Sequence, residues 1–166
     1  MEMNFLVIAI AAIVPLVTGF IWYHPKVFGT AWMNSAGLSM EQMKEFNMIK
    51  VFSLTYLLSL MAAMVLQSLV IHQFSFYSVL IDEPGFGVEG SEMSTYVNTF
   101  MEKYGANFRT FKHGAFHGIL TGIFLALPIL GINAMFERKS FKYVAINAGF
   151  WIFCFAIMGG IICEFV

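Results

Sequence analysis

The chain has 166 residues, of which 59% are hydrophobic and 11% are charged, and its formal net charge is −1. Its mean hydropathy of +0.77 lies well above the range of ordinary soluble domains, which argues against a soluble enzyme or binding module. The near-neutral charge and the absence of a basic patch give no sign of nucleic-acid binding.

Four long stretches contain no Asp, Glu, Lys or Arg, namely 3–23, 51–71, 114–136 and 143–163. An apolar helix of roughly 20 residues crosses a hydrocarbon core about 30 Å thick. We therefore predict an all-α fold, a polytopic membrane protein built as a four-transmembrane-helix bundle. The predicted single membrane domain covers residues 1–166, with spans at about 4–23, 51–73, 113–136 and 143–163.

The first span contains Pro15, which removes one backbone hydrogen bond and predicts a kink. Trp22, Tyr23 and Trp32 gather where this span ends. Aromatic rings are enriched at the boundary between lipid and water, so we interpret these three as interface anchors.

Two amphipathic helices are predicted in the connections, at about 40–50 and 92–104. In the first, Ser39 and Gln42 have the spacing of a capping box. In the second, apolar residues recur at helical spacing between Ser91 and Gly105. We expect both helices to lie along the membrane surface.

Spans three and four are separated only by residues 137–142, so they are predicted to form an antiparallel hairpin. Asn133 lies at the end of one span and Asn147 near the start of the other. Amide side chains in these places are expected to hydrogen-bond across the hairpin.

Span three also carries Gly114, Gly118 and Gly122 at intervals of four, which places them on one helical face. Such a stripe lets another helix approach closely, because it has no side chains to hold the backbones apart. The stripe suits packing inside one bundle, the interpretation we favour, or contact with a second copy.

The Lys and Arg residues predict the orientation of the chain. Connections one and three hold six of them, whereas the second connection holds three. The side richer in Lys and Arg usually faces the cytoplasm, so both termini are predicted to be extracytoplasmic.

The segment Gly19-Phe20-Ile21-Trp22-Tyr23-His24-Pro25-Lys26-Val27-Phe28-Gly29-Thr30-Ala31-Trp32-Met33 resembles the signature of a family of small bacterial four-span membrane proteins. The resemblance extends to His113-Gly114-Ala115 with Gly118, to 133–138 and to 146–150. That family is catalogued only as a domain of unknown function. The resemblance implies a four-helix protein of the bacterial inner membrane, with no activity, cofactor or catalytic residue to transfer. On the residues alone, Pro25 is expected to end the first helix and Gly29 to permit a turn.

Three of the four histidines are predicted to lie on one side of the membrane. His113 and His117 are four residues apart and share a helical face, and His72 closes span two on that side. This spacing suits a transition metal such as zinc, copper or iron, or haem. Interfacial histidines without a ligand are the simpler alternative, and a proton relay is the third. The acidic residues expected at the same level are Glu2, Asp82, Glu83 and Glu164.

Signatures of nucleophilic hydrolases, nucleotide-binding loops and zinc proteases are absent from the sequence. No residue is assigned a catalytic role. The first functional hypothesis is therefore a non-catalytic accessory or scaffolding element, which contacts membrane lipids and packs with itself or with larger membrane partners. The alternative is a membrane protein that binds a transition metal or haem through His72, His113 and His117. The third hypothesis is a small channel or transporter subunit.

Overall fold

A computed structural model of the chain describes residues 4–45 and 47–166. Every regular element within these residues is a helix, so the predicted all-α fold is confirmed. Four helices are long and apolar enough to cross a membrane, and we number them span 1 to span 4. They are Phe5–Trp22, Met48–Val70, Phe111–Phe136 and Phe141–Phe165.

Span 4 is the central helix of the bundle. Half of its most apolar window (50%) is buried inside the protein, against 28%, 17% and 11% for spans 1, 2 and 3. Apolar side chains of the other spans converge on it. The fully buried members of this core include Ile8, Leu66, Val70, Cys154, Met158, Ile162 and Cys163.

Both prolines within the spans coincide with interruptions. Span 1 consists of Phe5–Ala11 and Val14–Trp22, and Pro15 lies in the first turn of the second piece, where a missing N–H is harmless. Span 3 contains a wider π-helical turn at Gly122–Ala126, just before Pro128. A proline cannot donate the helical hydrogen bond and crowds the preceding turn, which the wider turn accommodates.

Spans 3 and 4 approach until their backbones touch. A Cβ atom added to Gly114 would overlap the carbonyl oxygen of Gly159, and one on Gly118 would overlap that of Phe155. A Cβ on Gly122 would lie 2.6 Å from Cα of Ile152. The glycine stripe of span 3 thus forms an interface within the chain.

The first connection departs from the sequence prediction. Instead of one helix over 40–50, the structure has a short helix at Met40–Lys44, with the Ser39–Gln42 capping box in place. Asn47 caps a new helix through its side chain, so span 2 starts at Met48, earlier than predicted. The first helix ends with Glu45 as its C-cap, and the side chain of Asn47 begins the next by accepting a hydrogen bond from Lys50 N.

Gly29 does not form a turn, contrary to expectation. A π-helical segment, Pro25–Gly29, continues directly into the helix Thr30–Ala36. His24 caps this segment by accepting a hydrogen bond from Lys26 N (3.2 Å). Gly29 is helical and buried, and a Cβ there would overlap the carbonyl oxygen of Tyr23. The glycine therefore serves close packing of the backbone.

The second connection folds into two packed helices, Gln73–Leu80 and Glu92–Tyr104. Their rings of Phe76 and Phe100 stack with centroids 4.2 Å apart and an interplanar angle of 14°. Span 2 ends at Val70, not at residue 73, because Ile71 adopts an extended conformation (φ −111°, ψ 99°). His72 therefore lies in a break between two helices.

The aromatic residues at the end of span 1 bind span 4. Trp22 Nε1 donates to Ile146 O at 3.2 Å, and the Tyr23 hydroxyl donates to Asn147 Oδ1 at 2.9 Å. The prediction that Asn147 hydrogen-bonds across the hairpin to span 3 is therefore wrong for the side-chain oxygen of Asn147. Its Nδ2 donates along span 4 to Tyr143 O at 2.8 Å, so both ends of the amide have partners.

The Tyr23–Asn147 contact can be tested with a double-mutant cycle. We expect Tyr23→Phe and Asn147→Leu to be non-additive, with a coupling energy of about 0.6 kcal/mol, the average for such bonds between membrane helices. Unfolding of the two single variants and the double variant in detergent measures this coupling. Additive losses would show that the bond contributes nothing to stability.

Candidate metal centre

His72, His113 and His117 come together at the end of spans 2 and 3. Their nearest ring nitrogens all lie within 4.8 Å of one another. The Nε2 atoms of His72 and His113 are 2.9 Å apart. The ring centroids are separated by 4.9 Å (His72–His113), 5.0 Å (His72–His117) and 4.5 Å (His113–His117). We call this group the histidine cluster.

Span 3 positions two members of the histidine cluster. Thr110 begins this helix by accepting a hydrogen bond from His113 N at 3.2 Å, which places His113 in the first turn. The neighbouring residues, Gly114 and Gly118, are buried against span 4. Successive helical residues are about 100° apart, so the histidine face is turned away from span 4.

The helix break after span 2 positions the third member. Ile71 is fully buried and Gln73 is 8% exposed, whereas His72 between them is exposed. The extended backbone at Ile71 interrupts the helical progression of side chains. The His72 side chain consequently points away from the core and towards the imidazoles of His113 and His117.

The geometry of the histidine cluster fits a transition-metal ion. Zinc binds imidazole nitrogen at 2.0–2.1 Å, which puts two nitrogens of a tetrahedral site about 3.3 Å apart. The His72–His113 pair, at 2.9 Å, is already close to this value. The remaining pairs lie within 4.8 Å, so their imidazoles have to move closer together to share one ion. Three protein ligands leave a fourth position open to water or another ligand.

Haem fits less well. Two imidazoles that hold a haem iron must lie on opposite faces of the macrocycle, whereas a single ligand leaves the other face free. In the histidine cluster the ring centroids lie 4.5–5.0 Å apart, which leaves no room for a macrocycle between two of these imidazoles.

The carboxylates predicted at this level are not part of the cluster, which contains imidazoles alone among the described residues. Glu164 is exposed, and it is turned about 100° from Cys163, which packs against Gly114. Asp82 and Glu83 follow the helix Gln73–Leu80, which carries the chain about 12 Å beyond His72. Glu2 lies outside the described residues.

A cavity of about 340 Å³ adjoins the cluster on the side of the second connection. His72 contributes the imidazole in its wall, and aromatic rings supply most of the rest. Its lining residues are His72, Gln73, Phe76, Phe100, Tyr104, Asn107 and Phe108. Small molecules can thus reach His72 without crossing the core of the bundle.

Two residues near the cluster were not singled out from the sequence. Gln73 is buried beside His72, and Phe108 places its ring 6.1 Å from that of His72 and 5.1 Å from that of His113. Phe108 has a positive φ of 63°, a conformation that non-glycine residues adopt only under local constraint. Neither residue belongs to a sequence motif, so the proximity of Gln73 and Phe108 to the histidines is seen only in the structure.

The predicted interface anchors lie elsewhere. Trp22 and Tyr23 are partly buried against span 4, and the ring of Trp32 meets that of Tyr23 edge-on with centroids 5.2 Å apart. His24, the fourth histidine, caps the segment that follows Tyr23 and takes no part in the cluster.

Fold and site together define an all-α protein with four helices fit to cross a membrane and three imidazoles gathered at one end of the bundle. The model of a family described as "Protein of unknown function (DUF1761)" matches residues 6–163, so the chain belongs to this family. No curated protein and no solved structure matches the chain.

Proposed function

We propose that this is a membrane protein that binds one transition-metal ion through His72, His113 and His117. The observation that carries the proposal is the convergence of two imidazoles of span 3 with the imidazole of His72, which lies in the break after span 2, 41 residues before His113. Imidazole is the ligand that zinc, copper, iron and nickel share, and the open fourth position suits an ion that exchanges or reacts.

The ion is bound at the extracytoplasmic face in this proposal. The support is the excess of Lys and Arg in connections one and three, which favours a cytoplasmic position for both. The histidine cluster belongs to the opposite side, with both termini and the second connection. Reporter fusions at the two termini test this orientation, and a cytoplasmic signal from either would contradict it.

Metal binding is tested by titrating the purified protein with zinc after chelator treatment in mild detergent. We expect one ion per chain by elemental analysis, and an affinity lower by about 100-fold or more in the double variant His113→Ala, His117→Ala. The expectation follows because losing a ligand costs more than losing its supporting partner, which itself costs 10–100-fold.

His24→Ala is the matched control, since it makes the same substitution outside the cluster. It should bind zinc as the unaltered protein does. Equal zinc binding by the unaltered protein and the double variant would refute the proposed site.

The accessory or scaffolding role is the competing proposal. Its structural support is weaker, because the glycine stripe that could receive another helix already packs against span 4. In the same purification, a metal-free protein that retains further copies of itself or a larger membrane protein would favour that role.

A further inference from the structure

We infer that Gln73 is a positioning residue that completes the histidine cluster by tying His72 to the chain that leads into span 3. The inference rests on the proposed metal site and adds the means by which its third ligand is held. Gln73 itself does not touch the ion in this arrangement; it acts through the backbone of its neighbour.

The side-chain amide nitrogen of Gln73 donates two hydrogen bonds. Only 8% of the residue is exposed, and its Nε2 donates to Gly105 O and to Asn107 O, both at 2.9 Å. A primary amide carries two N–H donors, so each finds one carbonyl. The opposite amide orientation would set the side-chain oxygen against two other oxygens, and the contacts therefore specify one arrangement.

These two hydrogen bonds join the two halves of the cluster. Gly105 ends the helix Glu92–Tyr104, and Asn107 lies three residues before Thr110, which caps span 3. His113 follows in the first turn. The bonds of Gln73 thus connect the residue after His72 to the segment immediately before the other two imidazoles.

The ring of His72 lies beside those of Phe108, His113 and His117, and its carbonyl oxygen accepts a hydrogen bond from Ser75 N at 3.1 Å. His72 stands between two helices, and the backbone at Ile71 is extended, so no continuous helix fixes its direction. The stacked rings of Phe76 and Phe100 hold the two helices of the second connection together one turn further on. We expect this stacking to persist when Gln73 is replaced. Loss of the Gln73 side chain should therefore release His72 and leave the fold intact.

The decisive experiment is a cobalt titration, because cobalt(II) substitutes for zinc and its visible absorption reports the number of ligands. We expect Gln73→Met, which keeps the length and removes both donors, to bind cobalt 10–100-fold more weakly, with the absorption reduced towards that of a two-imidazole site. Gln67→Met is the matched control. Gln67 is a buried glutamine of span 2 that lines a different cavity, together with Phe5 and Ile8, in which no histidine takes part.

A double-mutant cycle with His72→Ala separates positioning from general damage. If Gln73 acts through His72, Gln73→Met causes no further loss of cobalt affinity once His72 is replaced. A second loss of the same size would overturn the inference, as would cobalt binding by Gln73→Met equal to that of the unaltered protein. Should Gln73→Met fail to fold, Gln73→Leu provides the same test, because its side chain cannot donate to the two carbonyls and places no charge against them.

Failure of this inference is distinguishable from failure of the metal site. If the unaltered protein, Gln67→Met and Gln73→Met bind cobalt with equal affinity, the proposed metal site stands and the positioning role of Gln73 is refuted. If the unaltered protein takes up neither cobalt nor zinc, both the metal site and the role of Gln73 are refuted.

Discussion

Gly118→Ala is expected to lower the free energy of unfolding by about 1–3 kcal/mol, the usual cost of overpacking a close contact. The added Cβ would overlap the carbonyl oxygen of Phe155 and would lie 2.9 Å from Ala156 N. Both are backbone atoms in the middle of span 4, so neither can rotate away and the two helices must separate. Because His117 precedes Gly118, this separation should also weaken zinc binding.

Gly131→Ala is the control for this prediction, since it changes glycine to alanine in the same span. Its added Cβ would lie 3.9 Å from Val144 Cγ1, an ordinary van der Waals contact. Unfolding of both variants in detergent, followed by circular dichroism, measures the difference. Equal loss of stability in the two variants would mean that the close approach at Gly118 is unimportant for the bundle.

Zinc is expected to raise the unfolding temperature by roughly 5–10 °C at a free concentration of one hundred times its dissociation constant. At that ratio a ligand that binds only the folded state stabilises it by about 2.7 kcal/mol. For a chain of this size each kcal/mol corresponds to about 2–4 °C. Chelation of the metal should reverse the whole shift.

The same measurement on two histidine variants decides where zinc acts. His117→Ala removes a member of the cluster and should abolish most of the shift, whereas His24→Ala should retain it. If all three proteins respond equally, the stabilising ion binds outside the histidine cluster.

These two predictions concern one structural unit, because span 3 contributes both the glycine stripe and two of the three imidazoles. One face, with Gly114 and Gly118, packs against span 4. The adjacent face presents His113 and His117 to His72. Rotation of span 3 about its axis would therefore disturb both the packing and the candidate metal centre.

The four spans could be predicted from the sequence because lipid acts as a uniform solvent. About 20 apolar residues suffice to place a helix in it, and this is a property of each segment by itself. The pairing of His113 with His117 could also be predicted from the sequence, since two residues four apart share a face in any α-helix. For the same reason the capping box at Ser39 could be identified before the fold was known.

Interruptions of the helices were harder to predict from the sequence. Pro15 indicated the break in span 1, but the wider turn before Pro128 and the end of span 2 at Val70 depend on how neighbouring segments pack. At Gly29 the sequence suggested a turn, whereas the structure uses the missing side chain for contact with the carbonyl of Tyr23. A glycine permits both, and only its surroundings decide between them.

By itself, then, the sequence determined the all-α fold class, the number of spans and the presence of imidazoles on one face of span 3. The tertiary structure decided the approach of His72 to that face, the two hydrogen bonds of Gln73 and the partner of Tyr23 on span 4. The first group follows from hydropathy and helical periodicity, which act over one or a few turns. The second group joins residues more than 30 positions apart, and their meeting depends on helix rotation and on a single extended residue that no local pattern specifies.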